Sequence, residues 1–438
     1  MGKKIKVFNL DAYLFLIFIA FANFIYCLLF TLKFPSIIDE NYNYILSNLG
    51  FNYSEMMDNL LKKNNLEATY FDTTFYVSRM PLIPLVLKYL YFFVSENFFV
   101  IHLIKNLTFS LIIFLLLKNI FVKKPFFYLI LFLLFLNPHN LWVSLSFNFE
   151  EGLLNFLLII LFLLIISDIK FKLYLISITF FFLFFLKSSM FFLCAALAAY
   201  FSILFIKKRE ITYLLPLIFL IIGKIIWGTY SYNKTGFFAY GTKSVSFNSF
   251  TLNHAYNNEF TKIYPKISPD TLSEKIENSL PDNIEKNEWA INEFYFKKSI
   301  NYLKENPSDI ILGISKKLYV VFLYPFKDSQ FPDKNGIVKN EIRFSGIMNK
   351  LFFLGIIYML LYNIIKSNID LKNKQLNSIF FILLLFYFFP YMVGFIYSRH
   401  CTGAYMISYI YLIFSIQEKY NRSSFINKKI NAIYSRYF

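Results

Sequence analysis

Residues 13–32 read YLFLIFIAFANFIYCLLFTL, an uncharged and almost wholly apolar run. A helix rises 1.5 Å per residue, so a run of this length spans about 30 Å, the thickness of a bilayer core. Before it, Lys3, Lys4 and Lys6 resemble the start of a signal peptide. The apolar part is too long for such a peptide, and no small-residue cleavage motif follows. The run reads as a retained signal anchor, with its lysines in the cytoplasm by the positive-inside bias.

Composition extends that reading to the whole chain. Of 438 residues, 57% are hydrophobic and 16% charged, against about 25% charged in soluble domains. Mean hydropathy is +0.51. The net charge of +17 would suggest nucleic acid in a soluble protein. Here Lys and Arg flank hydrophobic segments, and no basic strip interleaved with aromatics occurs, so nucleic acid is not an expected partner. Cys27 and Cys194 lie in apolar runs and Cys401 near a helix end, without disulfide or zinc spacing.

The expected fold is an all-α polytopic membrane protein. Apolar spans fall near residues 13–32, 98–118, 125–138, 151–167, 172–187, 190–206, 212–230, 346–365, 376–396 and 402–417. Basic clusters mark the cytoplasmic loops: Lys118 with Lys123 and Lys124, Lys170 with Lys172, Lys207 to Arg209, Lys366 with Lys372 and Lys374, and the tail from Lys419. About ten crossings, with both ends inside, satisfy all of them. ILGISKKLYVVFLYPF (311–326) is apolar too, but Lys316 and Lys317 in its middle would each cost about 3 kcal/mol at the bilayer centre. It reads as an interfacial helix on the outer face.

Two large segments then lie outside, 33–97 and 231–345. The chain divides into an N-terminal transmembrane module (1–230), an outer loop with short helices (231–345), and C-terminal helices with a cytoplasmic tail (346–438). TLSE (271–274) has the form of a capping box, and EWAINEFYFKKSINYLKEN (288–306) reads as a helix stopped by Pro307.

The polar groups converge on the outer side. Asp39 and Glu40 follow the first span, and Glu150 and Glu151 open the fourth. Lys105 with His102, Lys187, Lys224, and Arg399 with His400 all fall near outer helix ends, and Arg79 lies in the first outer loop. This distribution runs against the positive-inside bias, and ionisable groups in membrane segments mark sites. Each also has a plainer reading. The acidic pair after the first span can be a solvated loop. Lys105 and Lys224 can snorkel, His102 can be structural, and Glu150 and Glu151 can serve the dipole of their helix. His254 carries no signal. Outer cations facing carboxylates suit a lipid-linked phosphate whose tail stays in the bilayer.

The order of first span, Asp39–Glu40, then SRMPLIPLVLKYL with Arg79, Pro81 and Pro84, resembles the GT-C superfamily of membrane glycosyltransferases. Within it the chain is most similar to the protein O-mannosyltransferase and aminoarabinose transferase group. NPHNLWVSLSFNFEEGL, KENPSDIILGISKKLYVVF and YSRHCTGAYMISYIYLIF resemble further segments of that group. FLKSSMFF places Lys187 where the group often has Arg followed by Pro. The resemblance implies a polyprenyl-phosphate sugar donor, transfer to an acceptor glycan, lipid or protein on the non-cytoplasmic face, and inversion at the anomeric carbon. It implies that Asp39 is the catalytic acid–base, that Glu40 is its neighbour, and that Arg79, Glu151 and Arg399 lie near the site.

Chemistry favours one carboxylate as base. A lipid phosphate leaves as a stabilised anion, so it needs cations and no general acid. Inverting transfer then needs a single base at the acceptor hydroxyl. Asp39 is the expected base and Glu40 its orienter. Glu40 offers a second role as ligand to a divalent cation, since carboxylates suit hard ions. Arg399, His400, Lys187 and Lys105 are the expected donor-binding residues with Arg79 and Glu151. The rival readings are a transporter or flippase, and a polymerase or ligase of lipid-linked glycans, for which Arg399 and His400 would be central. A transporter predicts midplane charges and paired broken helices, and the sequence has neither. Compact loops point to a bacterial plasma membrane with the site facing outside.

Overall fold

The structure is a computed structural model that describes residues 13–22, 53–70, 73–93, 98–121, 123–135, 137, 149–242, 287–323, 337–365, 371–393, 396 and 398–437. The chain is mostly helical. Helix α1 (Tyr13–Ala22) is followed by α2 (Tyr53–Lys63), the hairpin β1 (Ala68–Tyr70) and β2 (Thr73–Phe75), and α3 (Leu82–Phe93). Then come α4 (Phe98–Ile120), α5 (Lys124–Phe135), α6 (Phe149–Ile166), α7 (Lys172–Leu186), α8 (Met190–Lys208) and α9 (Leu215–Thr235). The last set is α10 (Glu288–Glu305), α11 (Pro307–Phe322), α12 (Ile337–Ile365), α13 (Leu371–Val393) and α14 (Thr402–Tyr437), with a short 3-10 turn at Ser398–Cys401.

Among the described residues, five segments are long and apolar enough to cross a membrane: Leu103–Ile120, Met190–Lys208, Ile211–Thr235, Phe344–Tyr362 and Gln375–Val393. Large apolar side chains on their outer faces stay exposed, among them Ile206, Ile221, Ile225 and Tyr358. Such a surface is costly in water and ordinary in lipid. Long apolar helices with apolar outer faces are consistent with a membrane protein.

Helix α6 is the axis. Every residue from Glu151 to Leu164 is buried, and the helix packs against α4, α7 and α14. A helix apolar all round belongs in a core, so the residues in its first turn open into the middle of the bundle. Gly403 on α14 lets that helix approach closely. A Cβ there would sit 2.7 Å from Leu158 Cδ1 and 2.9 Å from Asn155 Oδ1, both on α6.

Polar side chains inside the bundle find helix ends or one another. Lys317 on α11 is buried and donates to Met392 O at 2.7 Å, at the C-terminus of α13. Lys350 on α12 and Tyr405 on α14 donate to Val320 O and Val321 O at the end of α11. The last carbonyls of a helix lack partners and carry its negative pole, so cations are stabilised there. Tyr409 and Tyr411 bond Asn349 and Asn377 at 2.6 and 2.7 Å. At the opposite end from Glu151, Lys123 lies 3.5 Å over the Tyr420 ring and Gln417 caps Ile120 O, which gathers part of the basic end.

The helix read over 288–306 ends at Glu305, just ahead of Pro307, while other elements depart from the sequence reading. The β1–β2 hairpin stands in a chain read as all-α; its strands are three residues each. Pro307 ends one helix at Glu305 and begins another at once, because a first-turn proline lacks only an amide that has no partner there. Helix α11 therefore covers 307–322 rather than 311–326. Helices α12 and α14 run well past the expected spans 346–365 and 402–417, to Ile337 and to Tyr437. TLSE (271–274) lies outside the described residues.

Candidate functional site

Glu150 and Glu151 stand in the first turn of α6. Lys187 ends α7, the antiparallel neighbour, so the two ends meet. Lys187 Nζ lies 2.8 Å from Glu151 Oε1 and 3.3 Å from Glu150 Oε1. The 3-10 turn before α14 carries His400, whose Nε2 is 3.2 Å from the same Glu151 Oε1. A carboxylate only accepts, so this contact is attractive when Nε2 carries a proton. The carboxylates sit in the first turn of α6, at its positive pole, and face the Lys187 amine.

Helix α13 closes the group. Tyr391 stacks on His400 with centroids 4.8 Å apart, and Tyr387 donates to the His400 carbonyl. Spaced four apart, the two tyrosines share one face of α13. Glu151 and His400 are each about 3% exposed. Lys187 lies in the turn between α7 and α8 and is only partly covered. Two carboxylates face its amine, Glu151 at hydrogen-bond distance and Glu150 just beyond it. The cysteine next to His400, Cys401, is buried and its thiol is pushed up to about 11 by burial, which makes it a poor nucleophile.

The structure therefore brings together Glu151, Lys187 and His400. Arg399 lies in the same turn as His400 by its backbone. Lys105 is buried on α4, which packs on α6, so its amine does not snorkel to the surface. Lys224 stays near the surface of α9, its Nζ 3.5 Å over the Phe191 ring. Asp39, Glu40 and His254 lie outside the described residues.

Arg79 stands beside a second junction. Leu85 N bonds Pro81 O at 3.1 Å, which makes Leu82 the first helical residue of α3 and puts Pro84 in the first turn, where its missing amide costs nothing. Just before Arg79, Val77 N donates to Glu288 Oε2 at 3.2 Å. Glu288 opens α10, which Asn287 caps by accepting from Trp289 N and Ala290 N at 3.1 and 2.9 Å. Around it, Tyr230 donates to Leu66 O, the Phe237 and Trp289 rings meet at 4.9 Å, and Gly236 closes α9 with φ +75°, a conformation suited to glycine. Glu288 thus ties the segment before α3 to the start of α10.

Sequence reasoning passed over Tyr387, Tyr391, Asn155 and Glu288. The signal for the first two was the i,i+4 spacing within FYFFPYMV; for Asn155 it was the same spacing from Glu151. Glu288 had no such signal, since its partner is a backbone amide far away in sequence.

Among the described residues, no three His, Cys, Asp or Glu side chains gather as metal ligands would. Glu40, the cation ligand that the sequence offers, lies outside those residues. Fold and site define a class: a helical, apolar assembly with ion pairs gathered at one end of its axial helix. Comparison of the chain with protein-family models, curated proteins and solved structures found no match.

Proposed function

We propose that the protein is an inverting glycosyltransferase that moves a sugar from a polyprenyl phosphate to an acceptor hydroxyl. The observation that carries this reading is the meeting of Glu151, Lys187 and His400. They come from separate regions of the chain and were singled out as charged groups on one side of a membrane.

In this reading the chain crosses the membrane about ten times. The five long segments are joined by α1, α5, α6, α7 and α14, and α11 stays interfacial. The site faces away from the cytoplasm of a bacterial plasma membrane. Lys187 and Arg399 receive the donor phosphate, with Lys105 and Arg79 adding positive potential. In this reading Glu150 and Glu151 hold Lys187 in place until the phosphate competes for it. Asp39 takes the acceptor proton as the new C1–O bond forms. The bond from C1 to the phosphate oxygen breaks, its electron pair leaves on the phosphate, and no general acid is needed. A carboxylate of pKa about 4 suffices when that proton leaves late.

A carrier is the second reading, and one observation favours it. Lys187 is already neutralised by two carboxylates and shares Glu151 with a histidine, a combination that proton-coupled carriers use. The test is incubation of the purified protein in lipid with several polyprenyl-phosphate sugars, followed by mass measurement of products. A sugar-bearing product supports the transferase. Intact donors beside solute movement across the membrane would replace it with the carrier.

A further inference from the structure

Helix α13 contributes a side chain that the proposed chemistry leaves without a role. The Tyr391 ring lies on His400 at 4.8 Å with 25° between planes, and Lys187 Nζ is 5.6 Å from the centre of the same ring. Those two groups are also the ones that approach Glu151 Oε1, at 3.2 and 2.8 Å. One aromatic ring therefore stacks on one competitor for that carboxylate oxygen and lies within cation–π range of the other. Tyr391 is itself held: it is buried, and the Tyr387 ring packs on it at 5.6 Å. A filler side chain would need volume alone. A ring with its negative face toward a cation and a stacked imidazole does more, because cation–π attraction and offset stacking fix direction as well as distance.

We infer that Tyr391 is a positioning residue whose ring sets how Lys187 and His400 share Glu151, and through Lys187 sets the cation offered to the donor phosphate. The last clause rests on the transferase reading; the first does not. The role belongs to the ring, so Tyr391→Phe keeps it and Tyr391→Leu removes it.

The chain has only four histidines, and labelled imidazoles can be followed by NMR in detergent, with His400 assigned by its loss in His400→Gln. The His400 ring proton should lie upfield in the parent and in Tyr391→Phe, and move downfield in Tyr391→Leu. Glu151→Gln should shift the His400 signal in the parent, and shift it clearly less when combined with Tyr391→Leu. An unmoved signal in Tyr391→Leu, or an equal response to Glu151→Gln in both backgrounds, would overturn the inference. Should Tyr391→Leu not fold, Tyr391→Met fills the space with a flexible chain and carries the same comparison.

With donor, Tyr391→Leu should raise KM about 5- to 20-fold with kcat within about twofold, and Tyr391→Phe should match the parent. A fall in kcat with KM unchanged would contradict the donor clause. A parent that consumes no donor defeats the transferase reading alone, and the NMR comparison still decides the rest.

Discussion

Lys187 donates to Glu151 across 2.8 Å, from the turn that ends α7 to the first turn of α6. Removing one partner leaves the other charge uncompensated, and because Lys187 is only partly covered the cost is about 1–3 kcal/mol. Glu150 remains for Lys187, which places the expected loss for Glu151→Gln near the lower end. Lys187→Met should destabilise by a similar amount. The combined variant should lose less than the sum, because the second change removes a charge that the first left alone. Thermal unfolding of the parent, the single variants and the combined variant in one detergent measures this coupling; strict additivity would show that the pair is not one unit.

Close approach at Gly403 gives a packing test. A Cβ there would fall 2.7 Å from Leu158 Cδ1 and 2.9 Å from Asn155 Oδ1, inside any permissible contact. Gly403→Ala should cost about 1–3 kcal/mol and disturb the helix that follows His400. At Gly355 a Cβ meets nothing within 4 Å, so Gly355→Ala should be neutral or stabilise by up to about 1 kcal/mol through helix propensity. Comparing the two midpoints separates crowding from a general effect of alanine.

Glu288 holds the Val77 amide at 3.2 Å from a fully different part of the chain. Glu288→Ala leaves that buried donor without its acceptor, a loss of about 1–3 kcal/mol. Glu288→Gln keeps an acceptor oxygen and should retain most of the stability. The segment carrying Arg79 should also become more open to protease in Glu288→Ala than in Glu288→Gln. Equal cleavage of the two would show that the contact does not order that segment.

Much of the bundle was legible because a bilayer demands length. The spans near 98–118, 172–187 and 190–206 correspond to helices Phe98–Ile120, Lys172–Leu186 and Met190–Lys208. Strands of three residues, ATY and TTF, are too short to show any alternation, so the hairpin left no mark. The lysines tell the same story from the other side. Lys316 and Lys317 set α11 apart from a span in the sequence, whereas the bond from Lys317 to the end of α13, some 75 residues away, is a contact that sequence cannot express. Of the candidate site, Glu151, Lys187 and His400 stand out in the sequence because each is an ionisable group flanking or opening an apolar helix. Tyr391 is harder to single out, since only its i,i+4 spacing from Tyr387 sets it apart within the greasy run FYFFPYMV.

Donor consumption by the purified protein tests the central proposal most directly. A synthetic polyprenyl-phosphate sugar should be converted to free polyprenyl phosphate and an equal amount of glycosylated acceptor of inverted configuration. Lys187→Met should slow the reaction, and Asp39→Asn should abolish it without loss of fold. Full turnover by Asp39→Asn would remove that residue from the mechanism, and an untouched donor with the intact chain would contradict the transferase account.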